Sequence, residues 1–241
     1  MRIRWIFILS LGLIYGICSF GLAGEVMPWV TPTSIGGVNT EVYYAHSTQK
    51  VKLNITGYEV PFDYVSQKVN IKCTLRPGLG VEVYVLAGLI GSELKNGNLS
   101  YKGKMDDALY GGGIRYVLLG DIIILPAVSF SLGLTHSSSN LTEEKDGTKI
   151  DFTLDTTELQ GSVLASKKIG MVTPYAGVKF FHNWIRWKDE VGGEKGEGSS
   201  GDISPFLGGK ISFWSFLSIK GEISFVDEIT YAGGLSLSLG L

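Results

Sequence analysis

The residues of this chain that could carry out covalent catalysis lie together at His136, Ser137 and Ser138. His136 and Ser138 are two residues apart, so on a strand they point the same way, and Glu143 or Glu144 could orient the imidazole. A nucleophile, a base and an orienting carboxylate are the groups that ester hydrolysis needs. Thr-His-Ser-Ser-Ser is also ordinary loop composition, so we predict no catalytic residue here. Hydrolysis is kept only as the last alternative, after two non-enzymatic functions given below.

Other reactive residues lack the spacing of a catalytic or metal site. Asp106 and Asp107 are adjacent acids of the kind found in a protease pair, but no histidine lies two residues from an acid. Gly111 to Gly113 do not form a phosphate loop, because no helix is predicted after them. The remaining candidate metal ligands are dispersed along the chain, without ligand spacing: His46, His136, His182 and Cys73. We therefore expect no enzyme activity, no metal and no cofactor.

The first 23 residues have the pattern of a cleaved export signal. Arg2 and Arg4 precede an apolar run from Trp5 to Ile17, and Gly21 and Ala23 offer small residues for cleavage before Gly24. The run is too short to span a bilayer as a helix, which needs about 20 residues. We predict a signal peptide at 1–23, a periplasmic segment at 24–34 and one folded domain at 35–241.

Charge and cysteine content exclude two further classes of protein. The chain has a formal net charge of −2, which becomes −4 when the two arginines of the signal peptide are removed. Without a basic stripe, nucleic acid is not an expected partner. The mature chain keeps a single cysteine, Cys73, so it is not a disulfide-stapled protein.

Apolar and polar residues alternate along many segments of the chain, as they do on β-strands. The clearest segment is 126–135, where Val128, Phe130, Leu132 and Leu134 alternate with small or hydroxylated residues. The pattern returns at 68–76, 217–226 and 231–241. The second face is rich in glycine and serine with isolated charges, which favours a narrow barrel interior over the solvated face of a β-sandwich. We predict an all-β, closed antiparallel up-and-down transmembrane β-barrel.

Turn lengths indicate ten strands, with eight as the alternative. Short turns at 76–80, 120–121, 167–170 and 214–216 alternate with longer polar stretches at 47–60, 93–105, 137–149 and 188–202. Transmembrane barrels alternate short periplasmic turns with long extracellular loops in this way, which puts both termini in the periplasm. The predicted strands are 35–46, 61–76, 80–92, 105–119, 122–136, 150–166, 171–187, 203–214, 216–227 and 229–241.

Strand parity places charges of both signs on the barrel interior. A charge in such an interior must be paired or hydrated, and the interior of an eight- to ten-stranded barrel is about filled by side chains. A plugged lumen with a charge network is therefore predicted, and a narrow channel with a cationic bias is the alternative. The predicted network comprises Glu41, Lys68, Lys72, Arg76, Glu82, Arg115, Glu158, Lys179, Lys210, Lys220 and Glu222.

Aromatic residues near the predicted strand ends match the two interfacial belts of a membrane barrel. We expect an outer belt that includes Tyr44, Phe62, Trp184 and Trp187. The expected inner belt includes Tyr116, Tyr175, Phe213, Trp214 and Phe216.

Three segments resemble the outer-membrane protein A-like β-barrel superfamily, and the resemblance covers nearly the whole mature chain. They are Tyr110–Tyr116, Pro174–Lys179 and the closing hairpin Glu222–Leu241. The family usually ends in an aromatic residue that the assembly machinery reads, whereas this chain ends in Leu241.

The resemblance implies a monomer in the bacterial outer membrane, with lipid and the barrel assembly machinery as partners. We expect a structural or surface-interaction role carried by extracellular loops, for a surface ligand that the sequence does not identify. The alternative is a narrow channel or transporter for small solutes or apolar molecules. The third function is a lipid A-modifying enzyme, to which the His136 and Ser138 pair would belong.

Overall fold

The computed structural model describes residues 37–55, 58–97, 99–121, 125–145, 148–189, 193, 195–225 and 228–240. The predicted signal peptide at 1–23, the segment at 24–34 and Leu241 lie outside the described residues. Within the described ranges there is no helix long and apolar enough to cross a membrane.

Eleven antiparallel strands form the described part of the chain, and hydrogen bonds connect them into a closed ring. The first and last strands pair with each other from Gly37↔Gly240 to Gln49↔Glu228, which closes the barrel. The predicted closed antiparallel barrel is thus confirmed. The strands are β1 (Gly37–Ile55), β2 (Tyr58–Gly78), β3 (Val81–Asn96), β4 (Leu99–Gly103), β5 (Asp107–Leu119), β6 (Ala127–Lys145), β7 (Thr148–Ser166), β8 (Val172–Asp189), β9 (Lys195–Ser212), β10 (Leu217–Ser224) and β11 (Glu228–Gly240).

The ring has ten strands at one end and eight at the other. β4 and β5 both pair with β3 and β6, β4 nearer one end of the barrel and β5 nearer the other. Together they act as one interrupted strand. The hairpin of β10 and β11 is short, and beyond its tip β9 pairs directly with β1 at Lys52↔Ser199 and Leu53↔Gly198. The two strand numbers expected from the sequence therefore both occur, at different heights of the same barrel.

The two ends of the barrel differ in their connections. The short-turn end holds the connections after β2, β5, β7 and β9 together with the start of β1 and the end of β11. In its tightest turn, Gly78, Leu79 and Gly80 all have positive φ angles, which the two glycines adopt without steric cost. The other end, here called the hairpin end, carries the long hairpins β1–β2, β3–β4, β6–β7 and β8–β9.

The long polar stretches expected to be loops are mostly strand, which corrects that expectation. Residues 47–55, 93–96, 137–145 and 195–202 continue the strands on either side of the hairpins. β6 alone has 19 residues, whereas a strand crosses a membrane in about 9–11. Much of each long hairpin therefore extends past the segment that could lie in a bilayer.

On the outer wall, apolar side chains cover the half nearer the short-turn end. We call this surface the apolar belt, and its exposed members are Val42, Tyr44, Val69, Ile71, Val83, Val85, Ile114, Phe130, Leu132, Leu134, Val163, Val178, Phe180, Leu207, Ile219 and Leu235. Towards the hairpin end the outer wall becomes polar. Exposed residues there include Lys50, Lys52, Asp63, Lys95, Ser138, Asn140, Arg186, Lys188 and Glu197.

Inside the barrel the polarity is largely the reverse of that on the wall. Behind the apolar belt the interior holds the charged residues together with a small apolar cluster that includes Tyr43, Leu164, Tyr175 and Phe206. Behind the polar wall it is filled mainly by one larger apolar cluster. We call this cluster the apolar plug, and its buried members are Val51, Leu53, Phe62, Tyr64, Leu94, Leu141, Leu154 and Ile185. The hairpin half is thus built like a water-soluble protein and the other half like a membrane barrel.

The aromatic belts were predicted correctly only in part. Tyr44, Trp184, Tyr116, Phe213, Trp214 and Phe216 are exposed on the outside. Phe62 instead belongs to the apolar plug, and the half-buried Trp187 packs against the plug. Tyr175 is buried inside, where its hydroxyl donates to the carbonyl of Gly221 at 3.1 Å. These side chains face inward because of the alternation along their strands. The belts were predicted only from the closeness of each aromatic residue to a strand end, without regard to that alternation.

Candidate functional site

The charged interior is the most unusual chemical feature of the barrel. All eleven residues of the predicted network lie on strands with their side chains turned inward; ten are buried, and the side chain of Arg76 is 10% exposed. Seven of them are cations and four are carboxylates. The strands hold them in this orientation because their neighbours on either side face the apolar belt.

Glu41 is the centre of a first group that joins three strands. It lies opposite Lys72 of β2 in register, with 3.6 Å between Lys72 Nζ and Glu41 Oε2, and Lys220 of β10 contacts its other oxygen. Asn39 Nδ2 also donates to Glu41 Oε1 at 2.7 Å. Lys72 Nζ lies 4.6 Å from the centre of the Tyr84 ring, close enough for a cation–π contact.

Glu82 is the centre of a second group, which also has two cations around one carboxylate. Arg115 lies opposite it on β5, with 2.7 Å between Nη2 and Oε2, and Arg76 donates from Nε to Oε1 at 2.9 Å. Each of these two buried carboxylates therefore lies between two cations. In each group one cation donates a charge-assisted hydrogen bond, Lys220 to Glu41 and Arg76 to Glu82, and the other cation forms an ion pair.

One polar contact crosses the lumen from one side to the other. Lys68 of β2 and Glu158 of β7 are not on neighbouring strands, yet their charged atoms lie 3.8 Å apart. A shorter link joins Ser92 of β3 and Ser139 of β6, the two strands that flank β4 and β5, with 3.0 Å between their hydroxyl oxygens. These links indicate that side chains, rather than a wide aqueous pore, occupy the middle of the barrel.

The last three network residues lie in the same interior. Lys179 of β8 and Glu222 of β10 are buried, and Lys210 of β9 is paired in register with Lys220. Two lysines opposite each other on adjacent strands repel, and the carboxylates of Glu41, in contact with Lys220, and Glu222, two residues along β10, offset part of this repulsion.

Sequence reasoning missed three polar residues and the apolar plug. Asn39 donates to Glu41, the Tyr84 ring lies beside Lys72, and Asn70 is fully buried between the levels of Lys68 and Lys72. The alternation along the strands is enough to place these residues on the inner face. They were missed because they are uncharged and only charged residues were considered for the network. The plug falls largely in stretches expected to be loops, although Val51, Leu53 and Leu154 keep the strand period.

The residues considered for hydrolysis do not form a nucleophile–base pair. His136 and Ser138 both face outward, and His136 Nδ1 lies 3.0 Å from Thr157 Oγ1 rather than near Ser138. A pocket of about 330 Å³ lies beside them, lined by residues that include Asp155, Trp184 and Arg186. The side chains of Glu143 and Glu144 lie outside the described residues.

Asp107 is used structurally, since its carboxylate accepts a hydrogen bond from the backbone N–H of Asn140 at 3.2 Å. In the described ranges, no three histidine, cysteine or acidic side chains come together as a metal site.

Comparison with known proteins gives likenesses of structure only. No family model matches the chain, and no curated protein sequence matches it. The outer membrane protease OmpT from Escherichia coli is 10% identical, with a TM-score of 0.48, over 87% of this chain and 100% of that one.

Two further structures are similar to the same degree. The outer membrane protein OprG from Pseudomonas aeruginosa is 11% identical, with a TM-score of 0.48, over 86% of this chain and 97% of that one. The COG4313 outer membrane channel from Pseudomonas putida F1 is 11% identical, with a TM-score of 0.45, over 89% and 100%. Likenesses this remote concern architecture alone, and none of these activities is carried over. By its own closed ring, apolar belt and charged interior, the chain is a small β-barrel of the outer-membrane type.

Proposed function

We propose that this protein is a non-enzymatic, monomeric outer-membrane barrel that displays its long hairpins at the cell surface and does not conduct. The apolar belt supports the membrane location, because only hydrocarbon would cover so many exposed apolar side chains on a closed barrel. The short-turn end would face the periplasm and the hairpin end the exterior. Lipid and the barrel assembly machinery are the partners that this proposal needs.

The apolar plug carries the proposal of a closed lumen. Its eight buried side chains fill the interior at the hairpin end, and contacts such as Lys68–Glu158 cross the lumen below it. An ion entering from outside would have to pass this mostly apolar core, where few polar groups could replace its water of hydration, which is strongly unfavourable. A surface role then belongs to the polar outer wall of the hairpins.

A planar bilayer experiment tests this function. We expect the full-length mature protein, refolded and inserted, to give no steady current. Its folded state is checked on a gel, where the unboiled barrel should migrate faster than the boiled chain, and in cells it should fractionate with outer membranes. A stable current would contradict the plugged lumen, and recovery in the soluble periplasmic fraction would contradict the barrel's location.

A narrow anion-preferring channel is the second candidate, and the excess of interior cations favours it. In the same experiment, a channel would pass current with an anion preference that Arg115→Ala weakens. In a plugged lumen, Arg115→Ala instead leaves Glu82 with one of its two arginines and lowers stability without creating a current.

A further inference from the structure

A pocket on the outer wall lies at the border between the apolar belt and the polar hairpins. Its volume of about 330 Å³ is at the lower end of the range of about 300–1,000 Å³ that small-ligand sites occupy. Leu134 and Phe180 of the apolar belt lie just below it, two residues before His136 on β6 and four before Trp184 on β8. In the proposed orientation this is the level of the outer lipid headgroups, where tryptophan side chains are common. We call this site the border pocket.

Two rows of outward-facing side chains line the border pocket. The row nearer the apolar belt lies in register across β6, β7 and β8 and consists of His136, Thr157 and Trp184. The second row lies in register across β7, β8 and β9 and consists of Asp155, Arg186 and Glu197. The pocket therefore combines an exposed indole ring and a hydroxyl with one guanidinium group and two carboxylates.

The row nearer the belt is held in place by further contacts. The ring of His182 lies edge-on to the indole of Trp184, with 4.6 Å between the ring centroids. His136 Nδ1 lies 3.0 Å from Thr157 Oγ1, and the Tyr110 ring lies 5.0 Å from the imidazole. Each contact restricts the rotation of a side chain that lines the pocket, so less conformational entropy is lost when a ligand binds.

The second row is only weakly engaged in its own ion pair. Arg186 Nε lies 3.4 Å from Glu197 Oε1, and the two side chains are 77% and 78% exposed. Ion pairs this exposed contribute little to stability, so their contacts can be exchanged for those of a ligand at small cost. Asp155 lies opposite Arg186 in register on its other side. The row thus offers hydrogen-bond donors between two sets of acceptors.

These groups together fit the ring of a neutral sugar. The C–H face of such a ring can pack against an indole, and each of its hydroxyls both donates and accepts hydrogen bonds. Carboxylates and guanidinium groups form stronger hydrogen bonds with hydroxyls than uncharged groups do. A small cation or anion would meet a like charge in this pocket, whereas a neutral polyhydroxylated ring meets none.

We propose that the border pocket binds a single sugar ring, carried either by a glycolipid whose chains lie on the apolar belt or by a soluble saccharide. The indole of Trp184 packs on the face of the ring, and Thr157, Asp155 and Arg186 bond to its hydroxyls. The site rests on the proposed surface role, for which it names a class of ligand. It does not depend on a closed lumen.

NMR of the full-length mature protein, refolded into phosphatidylcholine nanodiscs, tests the site. In the soluble arm, the methyl glycosides of glucose, galactose and N-acetylglucosamine are titrated in. In the lipid arm, monoglucosyl or monogalactosyl diacylglycerol replaces part of the phosphatidylcholine. We expect saturable changes in the amide shifts of Thr157, Arg186 and Glu197 in at least one arm. A response in the lipid arm alone assigns the ring to a glycolipid headgroup, and a response to the methyl glycosides assigns it to a soluble saccharide.

Two substitutions in the pocket should weaken this binding. Trp184→Ala should lower the affinity by about two- to tenfold, because it removes the ring that packs on the sugar. Asp155→Asn should also lower it, because a neutral amide replaces a charged acceptor. Trp214→Ala is the matched control: Trp214 is 61% exposed on the outer wall at the short-turn end, away from the pocket, and its loss should leave the affinity unchanged.

The unboiled gel shift is measured first for each variant, so that misfolding is not read as lost binding. Absence of saturable shifts in both arms would overturn the proposal, and so would unchanged affinity in Trp184→Ala. An equal loss in Trp214→Ala would show that the sugars act on the membrane surface in general, and would also overturn it. Binding in nanodiscs is measured independently of current and of cell fractionation, so the border pocket and the proposed function can fail separately.

Discussion

At the scale of single residues, alternation along a strand decides which side chains meet the membrane. Leu132 is 36% exposed on the apolar belt, whereas its neighbour Ser131 is 2% exposed and bonds to Ser162 at 2.6 Å. The sequence was sufficient to predict this orientation for all eleven network residues, because parity needs only a regular strand. It could not predict which cations share a carboxylate, since that depends on the exact register of each pair of strands and, for Lys220 and Glu41, on strands far apart in the chain.

Leu132→Arg should destabilise the folded barrel by about 2–4 kcal/mol, because the charge would lie in hydrocarbon. Ser138→Arg, on the same outward face of β6 but beyond the belt, should change stability by less than about 0.5 kcal/mol. Unfolding of both variants in lipid vesicles measures the difference. A silent Leu132→Arg would mean that the belt does not contact lipid.

Glu82→Gln should lower the free energy of unfolding by about 3–5 kcal/mol, because it leaves Arg76 and Arg115 buried without their shared carboxylate. Glu59→Gln is the matched control: Glu59 and Lys52 form an ion pair whose side chains are 71% and 70% exposed. Such a surface pair contributes at most about 1 kcal/mol. Denaturant unfolding measures the loss of stability in each variant. Equal losses would mean that the buried ion pairs of Glu82 contribute no more to stability than an exposed pair does.

At the scale of strands, the apolar residues change sides part of the way along. On β1 they face outward at Val42 and Tyr44 but inward at Val51 and Leu53, with no bulge between them. When a sequence is searched for one continuous alternation of apolar and polar residues, the predicted strand ends at such a reversal. The rest of the real strand is then assigned to a loop. This is why the hairpins were predicted too short, although each half of the strand follows the period of two.

Leu154→Ala should cost about 2–5 kcal/mol, because Leu154 is 0% exposed in the apolar plug and its truncation leaves a cavity. Leu132→Ala removes the same atoms where lipid tails can fill the space, so it should cost less. Unfolding in vesicles and amide hydrogen exchange in the hairpins measure the two. Equal losses, or unchanged exchange in Leu154→Ala, would contradict a separate core at the hairpin end.

At the short-turn end, Asp121 links two turns. Hydrogen bonds from Lys167 Nζ at 2.6 Å and from the backbone N–H of Lys168 at 2.9 Å hold the pKa of Asp121 below its ordinary value. The link should therefore be complete above pH 4, the usual range of an aspartate, and be lost as pH falls through the lowered pKa. The amide proton shift of Lys168 in micelles should titrate below about 3.9 and be flat in Asp121→Asn. A midpoint at the ordinary value would mean that the link does not persist in solution.

At the scale of the whole molecule, the barrel combines two solutions to the burial of apolar surface. The ten-stranded half turns its apolar residues out and its charges in, and the eight-stranded half does the opposite. Turn spacing predicted the strand number well, because short turns are visible in the sequence. It could not predict that β9 and β1 meet beyond the β10–β11 hairpin, since Lys52 and Ser199, which pair there, are 147 residues apart in the chain.

The seam between β1 and β11 has a consequence for biogenesis. Because one edge of the first strand pairs with β2 and most of the other pairs only with the last strand, the growing sheet keeps two unpaired edges until residues 228–240 have been made. Unpaired edges recruit other chains, and the outward apolar residues add to that hazard. The polypeptide must therefore be kept extended and shielded throughout its journey, and closure is a single late event rather than a gradual one.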